Sequence, residues 1–207
     1  VSLTAGLFTT GLLEGLRVLV TAGPTWEAID PVRGISNRSS GKMGYAVAQA
    51  AMEAGARVTL VTGPVALAPP ERIETIPVVS AQQMYDAVHA RIADCRIFIG
   101  VAAVADYRPA AVAPAKIKKT GERLTLELVR NPDILASIAA LKQAPFTVGF
   151  AAETEELEAG ARAKLEGKGV DLIAANAVGF DDGGFDSDYN RLVLIDRRGR
   201  VELARLH

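Results

Sequence analysis

Val18 to Val61 reads VLVTAGPTWEAIDPVRGISNRSSGKMGYAVAQAAMEAGARVTLV, and its spacing decides the fold. Val18-Leu19-Val20-Thr21 is a short β-branched run that stops at Ala22-Gly23-Pro24. Met43 to Ala54 then sets apolar or small residues at helical spacing until Gly55. The pattern is strand, long loop, helix, strand. In such a βαβ unit the loop at the carboxyl end of the strand faces the ligand crevice, and here it runs to roughly 20 residues against about 2–6 for an ordinary connection. Asn37 and the run Ser39-Ser40-Gly41-Lys42-Met43-Gly44 bring hydroxyls, glycine amides and a helix N-terminus to where an anion would sit. Helix capping by Ser39, Ser40 or Gly41 would by itself explain part of this pattern.

Spacing tests two familiar phosphate motifs. A P-loop needs four residues between its glycine and Gly-Lys, followed by Ser or Thr; six residues separate Gly34 from Gly41-Lys42, and Met43 follows. The dinucleotide fingerprint G-x-G-x-x-G is missing too, and the second strand ends in Val61-Thr62-Gly63-Pro64 without an acidic residue for a ribose. A plain nicotinamide reductase is disfavoured.

At 207 residues and 49% hydrophobic content, one domain with a sizeable core is expected. Residues 1–16 read as a linker or disordered arm and 17–207 as the domain; Val at position 1 suggests excision from a longer chain or processing. The formal net charge of −1 provides no general attraction for nucleic acid or anionic membrane. No apolar run approaches the roughly 20 residues of a membrane span, and a soluble, cytoplasmic protein is expected. Cys95 is the single cysteine and His89 and His207 the two histidines, so Cys95 reads as a small apolar residue of a helix face and His89 as solvated.

Further along, Ile73 to Val79 reads as a strand, and Ser80 with Gln83 forms a capping-box signature ahead of Met84, Val88, Ile92 and Cys95. Ile97 to Ala103 is a continuous apolar run, as a strand covered on both faces requires. Gly100, Ala102 and Ala103 clear space near its end, and Asp106 brings a carboxylate to the crevice; close helix packing and a capped turn explain the same residues equally well. Lys116-Ile117-Lys118-Lys119 lies on a Pro- and Ala-rich stretch that reads as a flap, either a solvated face or cations for a phosphate chain. Leu124 to Leu128 alternates with period two, an antiparallel arm with one face to bury. Asn131-Pro132-Asp133 signals a helix start with Asn131 as cap, and Phe146 to Phe150 is a strand. Thr154 caps a helix that places Lys164 and Lys168 on one side near its end, where the helix dipole alone would favour them. Asp171 to Asn176 is another buried strand, Phe180 to Asn190 an acidic loop without the glycine and terminal glutamate of a calcium site, and Arg191 to Asp196 with Val201 to Leu203 a closing hairpin. The sum is an α/β, Rossmann-like open sheet, mostly parallel and flanked by helices, with an antiparallel arm.

With these residues laid out, the chain resembles the phosphopantothenoylcysteine synthetases in their bacterial, CTP-using form, from about Arg17 to Leu203. The resemblance rests on TAGPT at Thr21 to Thr25, DPVR at Asp30 to Arg33, ISNRSSGKMG at Ile35 to Gly44, AAVADY at Ala102 to Tyr107, KIKK at Lys116 to Lys119, NPDI at Asn131 to Ile134 and GFAAET at Gly149 to Thr154. It implies a CTP-dependent ligase of coenzyme A biosynthesis that condenses 4′-phosphopantothenate with L-cysteine through an acyl-cytidylate, releasing pyrophosphate and CMP. By motif match, Gly100, Val101, Ala102 and Phe150 would line the cytidine pocket, and Pro132, Asp133, Ile134 and Leu135 would complete it. Asp106 would meet the nucleotide and its Mg²⁺; Lys116, Lys164 and Lys168 would meet the phosphates. Asn37 would serve amide formation, with Ser39, Ser40 and Gly41 nearby. The resemblance also implies a homodimer, and fusion to an N-terminal flavin-dependent decarboxylase, with no flavin in this domain. A nicotinamide-dependent reductase of the same fold and a noncatalytic nucleotide-binding module are the rival readings.

Overall fold

The computed structural model describes residues 11–119, 121–153, 157–177 and 192–203. In chain order the strands are β1 (Arg17–Ala22), β2 (Trp26–Ala28), β3 (Gly34–Ser36), β4 (Arg57–Thr62), β5 (Glu74–Pro77), β6 (Ile97–Gly100), β7 (Tyr107–Pro109), β8 (Leu128–Arg130), β9 (Phe146–Glu153), β10 (Leu172–Ala177), β11 (Leu192–Asp196) and β12 (Arg200–Glu202). The helices are α1 (Lys42–Glu53), α2 (Ala81–His89), α3 (Ile134–Ala139) and α4 (Leu157–Lys168). An eight-stranded sheet runs β12-β11-β10-β9-β6-β1-β4-β5. Its strands from β5 to β10 are parallel, and β11 and β12 close one edge antiparallel.

The expected α/β architecture is therefore present. β1 lies at the centre with Leu19 and Val20 fully buried, and Phe98 of β6 is equally enclosed. Those runs have no polar alternation because helices cover both faces of the sheet. Val18, Val20, Ala48 and Leu60 form one cluster under α1; Leu19, Val61, Met84, Val88 and Ile138 form another on the opposite face.

Several local expectations shift. Leu13 and Leu16 are bound to the domain, since Leu13 N donates to Ala54 O and Leu16 O accepts from Arg57 N. The Ser80–Gln83 capping box forms, but α2 stops at His89 and a separate 3-10 turn carries Ile92 to Asp94. His89 is not simply solvated: Nε2 lies 2.9 Å from Ser137 Oγ, joining α2 to α3. Asp133, not Asn131, caps α3, its carboxylate accepting from Ala136 N. Asn131 Nδ2 instead donates to Ala105 O. The strand foreseen to begin at Leu124 reduces to β8, paired with β7, and Leu124, Leu128 and Val129 are exposed in the single chain. Cys95 is half-buried and donates to Arg91 O; burial pushes its thiol up, consistent with a packing role. Thr154 and the acidic stretch Phe180 to Asn190 lie outside the described residues.

Gly44 sets how closely α1 approaches the sheet. A Cβ there would lie 2.5 Å from Ala22 Cβ and 3.0 Å from Ala22 Cα, and strand backbone cannot rotate away. Alanine favours a helix by about 1 kcal/mol over glycine, whereas overpacking costs about 1–3 kcal/mol. Gly44→Ala should therefore lower the urea midpoint with an unchanged m-value. A higher midpoint would show that α1 can back away freely.

Candidate active site

The parallel strands run β5-β4-β1-β6-β9-β10, so the chain moves outward from β1 through β4 to β5 and then crosses back to β6. In an open α/β sheet the ligand crevice is expected outside the carboxyl ends of the strands where the direction of winding changes, which here is between β1 and β6. The loops that follow those two strands carry Asn37, Ser39, Ser40, Gly41, Val101, Ala102 and Asp106, whereas Lys116 lies beyond β7 and Pro132 to Leu135, Phe150, Lys164 and Lys168 lie on or beside α3, β9 and α4.

The long loop after β1 is not irregular. β2 and β3 make a hairpin within it, and Trp26 covers Gly34 so closely that a Cβ there would lie 2.4 Å from Trp26 Cε2. The hairpin is docked by Glu27, a carboxylate only 3% exposed whose Oε1 accepts from Ala81 N at the start of α2. A negative charge at a helix N-terminus satisfies an orphan amide and complements the dipole. Ser36 Oγ donates to Thr25 O, bending the chain back toward β1.

The loop after β6 is laced onto this one. Ala103 N donates to Gly23 O at 2.9 Å, Ala102 N to Thr21 Oγ1 at 3.3 Å and Ala105 N to Thr25 Oγ1 at 3.0 Å. Val101 N donates to Thr21 O. Thr21 and Thr25 are buried, so their hydroxyls act as fixed acceptors for a chain segment that has left the sheet. Asn37 Nδ2 donates to Ala103 O at 2.9 Å, which brings the two loops together across the crevice.

Gly41 is the N-cap of α1 with φ 81°, a left-handed backbone that suits glycine, and no side chain caps the helix. Ser39 Oγ accepts a long bond from Gly41 N, at 3.4 Å; Ser39 and Ser40 are half-buried. Capping by serine therefore does not account for that loop. Asp106 is exposed, and its backbone carbonyl accepts from Asn131 N at 2.8 Å, setting the start of α3 beside the β6 loop.

Gly100 ends β6 next to Gly149 of β9, and Leu135 lies over both. A Cβ at Gly149 would fall 2.5 Å from Leu135 Cδ2, one at Gly100 3.4 Å from Leu135 Cδ1. Close packing of α3 thus uses part of the space these glycines clear, and Ile134 is buried beneath it. Phe150 follows on β9, half-buried, and Pro132 precedes the cap. Lys168 pairs with Asp133, which ties the end of α4 to the N-cap of α3. Burial pushes the Asp133 carboxyl up, but the Ala136 amide and the Lys168 ammonium outweigh it and hold it below the ordinary range. Lys164 is half-buried one turn earlier. Lys116 is exposed on the loop that carries the lysine cluster.

Asp30 and Arg33 were visible only as part of a motif, with no role read from them. Asp30 is 2% exposed and accepts from the amides of Val32 and Arg33, from the Arg33 guanidinium and from Ile117 N. The Arg33 guanidinium holds its carboxyl far below the ordinary range, with the Ile117, Val32 and Arg33 amides adding to this against the opposing effect of burial. A groove of about 570 Å³ opens elsewhere, between Arg17, Arg57, Arg72 and Asp94 at the amino ends of the strands, away from all of these residues.

Among the described residues no three His, Cys, Asp or Glu side chains cluster as a protein-only metal cage would require. One exposed carboxylate, Asp106, does fit a Mg²⁺ that takes most of its oxygens from water and substrate phosphates. No described helix is long and apolar enough to cross a membrane.

The strand order defines a Rossmann-like α/β domain with two interlinked loops at the switch point between β1 and β6. The family described as DNA/pantothenate metabolism flavoprotein C-terminal domain matches residues 13–207, and the chain belongs to it. It is 53% identical over 206 residues to the coenzyme A biosynthesis bifunctional protein CoaBC of Vibrio vulnificus, covering 98% of this chain and 51% of that one. The CoaBC of Escherichia coli strain K12 is 53% identical over 191 residues, 90% of this chain and 47% of that one. The chain thus spans about half the length of the curated relatives it matches. Among solved structures, the C-terminal domain of a CoaBC superposes with a TM-score of 0.81 at 41% identity, covering 96% of this chain and 90% of that one. The DNA/pantothenate metabolism flavoprotein of Streptococcus pneumoniae superposes at 0.79 and 25% identity, covering 91% and 92%.

Proposed function

We propose that this domain is the ligase of coenzyme A biosynthesis that joins 4′-phosphopantothenate to L-cysteine at the expense of CTP. The observation that carries the reading is the Asn37–Ala103 bond at the switch point, because it draws the Asn-Arg-Ser-Ser-Gly-Lys loop and the Ala-Asp loop into one crevice. Membership of the family and identity to bifunctional coenzyme A biosynthesis proteins support it. A carboxylate at neutral pH is a poor electrophile, so it first attacks the α-phosphorus of CTP and displaces pyrophosphate. The amine of cysteine then attacks the acyl-cytidylate carbonyl, CMP leaves, and the amine's proton is lost to solvent or base.

Each residue then has a task. Gly100, Val101 and Ala102 border the base with Phe150 and Leu135, and Lys116 and Lys164 offset negative charge on the phosphates. Lys168 does so while shared with Asp133, a cation that phosphate must draw from an existing pair. Mg²⁺, when bound through Asp106, neutralises phosphate charge. The protein works in the cytoplasm as a homodimer, with the arm from Leu124 to Val129 as the contact, and is joined in the full-length protein to a flavin-dependent decarboxylase. The absence of both the dinucleotide fingerprint and an acidic residue after β4 weighs against a reductase.

Pyrophosphate release measured with CTP or ATP, with and without phosphopantothenate, tests the assignment. Release should require phosphopantothenate and be far faster with CTP, since a pocket bordered by short backbone segments suits a pyrimidine. Equal turnover of both nucleotides would remove the CTP assignment, and no release with either would remove the ligase.

A further inference from the structure

The lysine loop is anchored to the turn between β2 and β3 through the Asp30–Arg33 ion pair. Asp30 lies in the turn between β2 and β3, with its side chain fully enclosed. Oδ1 accepts from Val32 N at 2.9 Å and Arg33 N at 2.8 Å; Oδ2 accepts from Arg33 Nε at 3.0 Å, from Arg33 Nη2, and from Ile117 N at 3.1 Å. Arg33 Nη2 also donates to Ile117 O at 3.0 Å. Ile117 is therefore gripped at both its N–H and its C=O by one ion pair, 84 and 87 residues away in the chain. Four residues earlier, Ala113 N donates to Ile29 O at 2.9 Å. Pro114 stiffens the short segment between these two anchors.

We infer that Asp30 is a positioning residue, which with Arg33 clamps the backbone of Ile117 and so sets where the neighbouring Lys116 ammonium reaches over the crevice. Lys116 is exposed and depends on its backbone for placement. A carboxylate is required because five donors converge on two oxygens, and an amide would turn one of those acceptors into a donor facing N–H groups. The Lys116 part rests on the ligase reading; the clamp does not.

Four proteins separate the possibilities: the unaltered chain, Asp30→Asn, Lys116→Gln and the double variant. Each is assayed for single-turnover pyrophosphate release from CTP and phosphopantothenate, and for residue-resolved amide exchange by NMR. Ile117 N–H should be protected in the unaltered chain and exchange at least about 10-fold faster in Asp30→Asn, while Val20 and Leu60 keep their protection. Release should fall about 100-fold in Asp30→Asn, the size expected for a group displaced by about 1 Å. The double variant should be no slower than Lys116→Gln, because a positioning residue contributes nothing once the group it positions is gone. Multiplicative losses, or an Ile117 amide that exchanges like an exposed one in the unaltered chain, would overturn the assignment. Arg33→Lys keeps the charge, loses the planar fork and serves if Asp30→Asn does not fold: it should likewise free Ile117, and full protection there would count against the clamp. No release from the unaltered chain removes the ligase reading and the role toward Lys116 with it, and Ile117 exchange then decides the clamp alone.

Discussion

Lys116→Gln is expected to slow pyrophosphate release about 100- to 1,000-fold, the loss of about 3–4 kcal/mol that follows removal of a preorganised donor at developing charge. The neutral side chain keeps the length of the stem and some hydrogen bonding, so the loss reports on charge. Lys116 is exposed and lies beside the clamped Ile117, so the substitution removes a charge without opening a cavity in the core. Thermal unfolding should therefore be unchanged within about 0.5 kcal/mol, the range of an ordinary surface substitution. Single-turnover release at the rate of the unaltered chain would show that Lys116 is a solvated surface lysine.

The second large effect concerns Asn37. Replacement by Asp preserves shape but exchanges a donor for an acceptor when ionised, and at this position the consequence is geometric as well as chemical. Asn37 Nδ2 now donates to Ala103 O; a carboxylate would set two acceptors 2.9 Å apart and push the two loops away from each other. If Asn37 acts chiefly on the acyl-cytidylate as cysteine attacks, Asn37→Asp should release pyrophosphate to about one equivalent per site and then stall with the intermediate on the protein. If its main task is to join the loops, both half-reactions should fall together. Quenched-flow counting of pyrophosphate against amide product distinguishes the two, and parallel loss of both removes Asn37 from the group acting on the second step.

The bond to Ala103 also shows why Asn37 could be singled out as a candidate from sequence while its partner could not. A polar residue in an over-long loop at the end of a buried strand is a candidate in any winding of an α/β sheet. Which carbonyl it meets depends on strand order, and β6 lies beside β1 only after the chain has passed through β4 and β5. Thr21 and Thr25 illustrate the same limit. In sequence they appear only as members of a strand run and a motif, with no role read from them, and only the neighbouring β6 loop makes their hydroxyls buried acceptors.

By itself the sequence determined the βαβ opening, the alternation of buried strands and helices, the capping box at Ser80, and the loops that carry Asn37, Asp106 and Lys116. These are local properties, written in hydrophobic period and turn chemistry over a dozen residues. The tertiary structure alone decided the cap of α3, where Asp133 rather than Asn131 does the work because Asn131 is drawn to Ala105 O. It also decided the pairing of Lys168 with Asp133, the burial of Glu27 under α2, and the clamp of Asp30 on Ile117. The last three join groups 35, 54 and 87 residues apart, and a charge finds such a partner only when the sheet has set the distance between them.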